Sequence, residues 1–116
     1  MYGPAVAVLT KSDGTVIAGQ LAIADTPLRR MRGLLGRREL APGEGMLFRR
    51  AGAIHMFFMR IPLDVVFCDA DLRVVKVVRG LAPWKTAGAK GATVAIELGA
   101  GGAAAVELGD QLELVL

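Results

Sequence analysis

The chain has 116 residues, 53% hydrophobic and 22% charged, with a formal net charge of +3 from fourteen basic and eleven acidic side chains. A chain of this size and apolarity can bury a single core without a disulfide or metal staple, which excludes intrinsic disorder and leads us to expect one domain over residues 1–116. No apolar run approaches the ~20 residues that span a bilayer, and the small charge excess gives no domain-wide field of the kind nucleic-acid binders carry.

In chain order, "MYGPAVAVLT" lacks the basic start and cleavage site of an export signal, and a cytoplasmic location is expected. The segments "AVAVLT" and "TVIAGQLAIA" alternate in the manner of strands, and "KSDG" between them supplies the turn of a hairpin. The period then changes. In "TPLRRMRGLLG", Thr26 suits a helix cap, Pro27 the first helical position, and Leu28, Met31 and Leu35 one apolar face. This predicts a short α-helix over about residues 26–35, ended by Gly36. After the loop "ELAPGEG", the segments "MLF", "AIHMFFM", "LDVVFCD", "LRVVKVV", "TVAIEL" and "QLELVL" all read as strands, with a helical turn near 102–106. Both sides of "HMFFM" are apolar, which predicts an inner strand covered on each face. The expected fold is mainly β: an antiparallel β-sandwich or partly closed β-barrel with one short helix.

Alternation along extended chain sets His55, Phe57 and Met59 on one side of their strand, and Asp64, Val66 and Cys68 on one side of the next. A buried carboxylate without a partner costs several kcal/mol, so Asp64 must be paired, hydrogen-bonded or wet. Two placements follow. Either Asp64 caps a turn or holds an arginine for structural reasons, or His55, Asp64, Glu97 and Arg32 gather at the mouth of a cleft. In the second case the carboxylate would orient the imidazole, as a general base or as a ligand holder. Met46, Met59 and Trp84 are the further candidates to line such a cleft, while Glu97, within an apolar strand, also suits a structural salt bridge.

Other chemistries lack their residues. There is no G-x-S-x-G elbow, and Cys68 sits in a hydrophobic strand where a thiol is inert. One histidine and one cysteine make no zinc site. Met46, Met56, Met59, His55 and Cys68 are soft ligands that would suit monovalent copper, but His55 and Met56 fall on opposite strand faces and methionine in an apolar strand usually fills the core, so no metal or cofactor is expected. The glycines of "GEG" and "GAGG" lack the lysine context of a phosphate loop.

The blocks "ADTPLRRMRGLLGRREL", "GEGMLF", "IHMFFMRIPLDVVF", "RVVKVV", "IELGAG" and "LGDQLEL" together resemble the domain of unknown function 192 family, from about residue 22 onward. Arg32, Gly45, Met46, His55, Met59, Asp64, Glu97, Gly101 and Asp110 fall within those blocks. The resemblance implies a small β-rich domain with a short helix and brings no catalytic residue with it. Three functions are therefore weighed. The first is a domain binding a small polar or anionic ligand near His55 and Asp64. The second is a hydrolase using that pair as base and orienter. The third is a module meeting RNA or an acidic partner through the arginines of residues 29–50. Only six aromatic residues exist, most of them in strand-like segments, which argues against nucleic acid; no membrane partner is expected.

Overall fold

Strand alternation and turn chemistry account for most of the backbone in the computed structural model, which describes residues 5–24 and 39–116. Nine strands are present there: β1 (Ala5–Lys11), β2 (Val16–Ala24), β3 (Glu44–Arg49), β4 (Ala53–His55), β5 (Leu63–Cys68), β6 (Val74–Leu81), β7 (Thr86–Gly88), β8 (Val94–Gly99) and β9 (Leu112–Val115). The first hairpin is as predicted. Gly14, with φ 92°, lets the chain reverse, and the Asp13 carboxylate accepts the Thr15 N–H at 2.9 Å. The predicted helix at 26–35 lies outside the described residues.

Seven strands form one sheet in the order β6-β5-β8-β3-β2-β1-β9, and β4 and β7 form a separate two-stranded sheet. The large sheet is mixed, because β2 and β3 run parallel while its other pairs are antiparallel. This corrects the expectation of an antiparallel sandwich. The sheet coils until its two edges meet at one end, where Arg73 bridges Gln111 and the Val74 N–H donates to the Asp110 carbonyl. A single bridge is not a ladder, so the barrel stays open.

Coiling gives the sheet an inner and an outer face. Strands β1, β2, β3, β5, β6, β8 and β9 all send residues inward, among them Leu9, Leu21, Leu47, Val66, Ile96, Leu98 and Leu112. The outer face carries Phe48, Leu63, Val65, Phe67 and Ala95, covered by Met56 and Met59 and by the β4–β7 pair through Ile54 and Ala87. All six residues of β5 are buried, as expected of a strand covered on both sides.

Two further expectations are corrected. Residues 102–106 form no helix: successive turns close there through Gly102 N–H to Gly99 O and Val106 N–H to Ala103 O. Nor is "HMFFM" an inner strand. Strand β4 stops at His55, and the chain turns over Met56–Met59, with the Met59 N–H donating to the Met56 carbonyl and Phe58 at φ 65°.

Candidate functional site

The alternation of β5 and β8 separates the two carboxylates. Asp64 stands opposite Leu98 and Glu97 opposite Val65. Directly opposed residues share a sheet face, so Asp64 points inward with Leu98 and Glu97 outward with Val65.

Asp64 is 1% exposed. Its Oδ1 accepts the Gly80 N–H at 2.9 Å, and its Oδ2 accepts those of Gly101 at 3.1 Å and Ala103 at 2.9 Å. Three backbone donors thus supply the compensation that a buried carboxylate requires. Gly80 and Gly101 take φ of 66° and 90°, a region glycine enters without penalty. Arg79 completes the fastening from the other side, donating to the carbonyls of Ala103 and Val106. The outcome is structural: Asp64 pins the turns after β8 over the inner core, where Ala103 and Val106 are buried.

Glu97 is 7% exposed, and burial pushes its carboxyl up to about 7. Among the described residues it has no ion-pair partner, so the expected salt bridge is not made there. Arg32 lies outside the described residues. Cys68 is fully buried and its thiol is pushed up to about 12, chiefly by burial, which fits inert packing.

His55 is exposed at the end of β4, opposite Thr86 of β7. Its Nδ1 accepts the Phe57 N–H at 3.3 Å, and its ring stacks on Phe57 with centroids 4.7 Å apart. The β4–β7 pair covers the outer face of the sheet, whereas the Asp64 carboxylate points into the inner one. The structure therefore brings together neither His55 with Asp64 nor the wider group of His55, Asp64 and Glu97. The base-and-orienter geometry is absent.

It does bring His55 together with Trp84. Phe57 lies 5.9 Å from the Trp84 ring and Phe58 4.9 Å from it, giving a continuous group of four rings. Phe57, Phe58 and Trp84 are 41%, 67% and 57% exposed. Buried Met56 holds the two loops in place: its carbonyl accepts the Trp84 N–H at 2.7 Å and the Met59 N–H at 3.2 Å, and its own N–H donates to Lys85 O at 2.7 Å. Met59 is buried in the outer core and Met46 packs against it, so neither lines a cleft with Asp64. Beside the rings lies an open hollow of ≈ 660 Å³ lined by Ala53, Ile54, His55, Lys76, Thr86, Ala87 and Gly88. The sequence reading missed Phe57 and Phe58 as surface groups. The available signal was "RIP" directly after "MFFM", turn chemistry that ends a strand.

The DUF192 family model, described as "Uncharacterized ACR, COG1430", matches residues 8–114. The chain belongs to the DUF192 family. A UPF0127 protein of Pyrococcus abyssi is 32% identical to it over 117 residues, covering 93% of this chain and 97% of the relative. Another, from Thermococcus sibiricus, is 36% identical over 86 residues, which is 67% of this chain but only 53% of that protein's length. Two crystal structures share the fold. One, from Sinorhizobium meliloti 1021 and described as a "putative transcription regulator", superposes with a TM-score of 0.84 at 26% identity, over 98% of this chain and 97% of its own. The other, a protein of unknown function from Novosphingobium aromaticivorans, has a TM-score of 0.79 at 28% identity over 97% and 93%. Family membership fits the blocks set out above and assigns no chemistry to them.

Proposed function

We propose that this DUF192 domain is a binding domain whose contact surface is the ring group His55, Phe57, Phe58 and Trp84, and that its ligand combines flat apolar parts with negative charge. One observation carries the reading. The two most exposed rings stand on left-handed backbone, Phe58 at φ 65° and Trp84 at φ 71°. For a bulky residue that conformation costs on the order of 1–2 kcal/mol, and glycine would avoid it. Exposed aromatics at strained turn positions gain little from folding and so favour recognition as their role. Lys76 at the hollow, with Arg60 and Lys85 in the two loops, supplies positive charge.

Trp84 is the single tryptophan, so its emission reports on the surface directly. Titration with naphthalene sulfonate, a flat anionic probe, should shift and saturate that emission, and Phe58→Ala should weaken the interaction about tenfold. Emission unchanged at millimolar probe would overturn the assignment.

A further inference from the structure

Building on that reading, we infer that the ring surface accommodates single-stranded nucleic acid, with bases stacking on Phe58 and Trp84 and phosphates meeting Arg60 and Lys85. The argument joins two independent patterns. The first is the row of rings, in the order His55, Phe57, Trp84, Phe58, with neighbouring centroids 4.7, 5.9 and 4.9 Å apart. Phe58 and Trp84, the two most exposed rings of the row, can each offer a face to a base plane, and every base has one, so stacking of this kind tolerates sequence.

The second pattern is charge. Residues 45–63 and 72–96, the stretches carrying both loops, hold eight of the fourteen lysines and arginines and none of the eleven carboxylates; of the four that border them, Asp64 and Glu97 are buried, while Glu44 and Asp71 stand at the far ends of the stretches from the rings in sequence. Among the eight, Arg73 donates to the Gly109 carbonyl, Arg79 to those of Ala103 and Val106, and Lys76 to that of Gly88. Arg60 and Lys85 are exposed, and neither enters an ion pair among the described residues. Arg60 follows buried Met59, two residues after Phe58, and Lys85 directly follows exposed Trp84, so each cation adjoins one of the rings in the chain. Lys76 donates to the Gly88 carbonyl at 2.8 Å and faces the adjoining hollow, extending the positive margin past His55.

A stacked duplex offers few free base faces, and an anionic polysaccharide offers none that is aromatic. A single strand presents both the planes and the regular charges that this surface complements. The expectation against nucleic acid rested on the small charge excess and on core-like aromatics; three of the rings are exposed instead, and the positive charge is concentrated in the stretches that carry them.

The test is fluorescence anisotropy of a labelled oligothymidylate of about twelve nucleotides, read beside Trp84 emission in the intact chain. With about three phosphates neutralised, log affinity should fall with log salt at a slope of about −2. Phe58→Ala should weaken binding about tenfold, and Lys85→Gln should flatten the salt slope by about 0.7. Both substituted side chains are exposed, and circular dichroism verifies that the fold is kept. Equal affinity for duplex or for a sulfated polysaccharide, or an unchanged affinity in Phe58→Ala, overturns the inference. If naphthalene sulfonate binds and the oligonucleotide does not, only the nucleic-acid assignment fails; if neither binds, the ring surface itself is wrongly assigned.

Discussion

Asp64 Oδ2 accepts the backbone N–H of Ala103 at 2.9 Å, across 39 residues of sequence. With Gly80 and Gly101 as its other donors, the carboxylate ties three chain segments together over the inner core. Asp64→Asn replaces one acceptor oxygen with an NH₂ group facing backbone donors. Stability should fall by about 3 kcal/mol, through lost charge-assisted bonds and unsatisfied buried amides. Urea denaturation measures this. A loss below about 1 kcal/mol would contradict the fastening role.

Glu97 predicts a pH dependence of the opposite kind to a paired carboxylate. Its folded-state value is raised to about 7 from an ordinary 4.5, so between those values the folded chain holds a proton that the unfolded chain has released. Stability therefore declines as pH rises from about 4.5 to 7 and is level beyond. The decline should total roughly 3 kcal/mol. In Glu97→Gln that component of the pH profile should vanish, as followed by thermal unfolding across pH 4 to 8.

Phe58→Gly separates stability from recognition. Relief of left-handed strain, about 1–2 kcal/mol, exceeds the loss of one exposed ring pair with Trp84, about 0.5–1 kcal/mol. The variant should melt at the same temperature as the parent or a few degrees higher, while its affinity for the flat anionic probe collapses. A clear drop in melting temperature would mean that the ring serves the fold.

Gly45 sits in β3 between β2 and β8, where a Cβ would come within 2.6 Å of both the Glu97 carbonyl oxygen and Leu98 Cδ2. A backbone oxygen in a ladder cannot step aside. Gly45→Ala should lower stability by about 2–3 kcal/mol; Gly19→Ala, with open space at its Cβ, is the matched control and should change it little.

Much of this architecture was legible where the signal is local. The period of β1 and β2 and the turn residues of "KSDG" located the first hairpin, and alternation put Asp64 with Val66 and Cys68, on one side of β5, where they are found. Non-local features were not legible. The parallel pairing of β2 with β3 and the order of the sheet depend on contacts between distant segments that no residue pattern marks. Asp64 is satisfied by backbone amides, so a search among charged side chains for its partner could not succeed. "MFFM" misled for a different reason. Apolar composition is common to a buried strand and to an exposed recognition turn, and a phenylalanine in left-handed backbone leaves no trace in the sequence.

The pairing of β1 with β9, in which Leu9 lies opposite Leu114, has a kinetic corollary. An edge ladder built from the first and last described strands cannot form during synthesis until residues 112–115 have emerged. Folding dominated by such distant pairings is expected on the order of milliseconds to seconds rather than microseconds. Until then the edge of β1 that β9 will occupy stays unpaired, an open ladder of the kind that invites pairing with another chain.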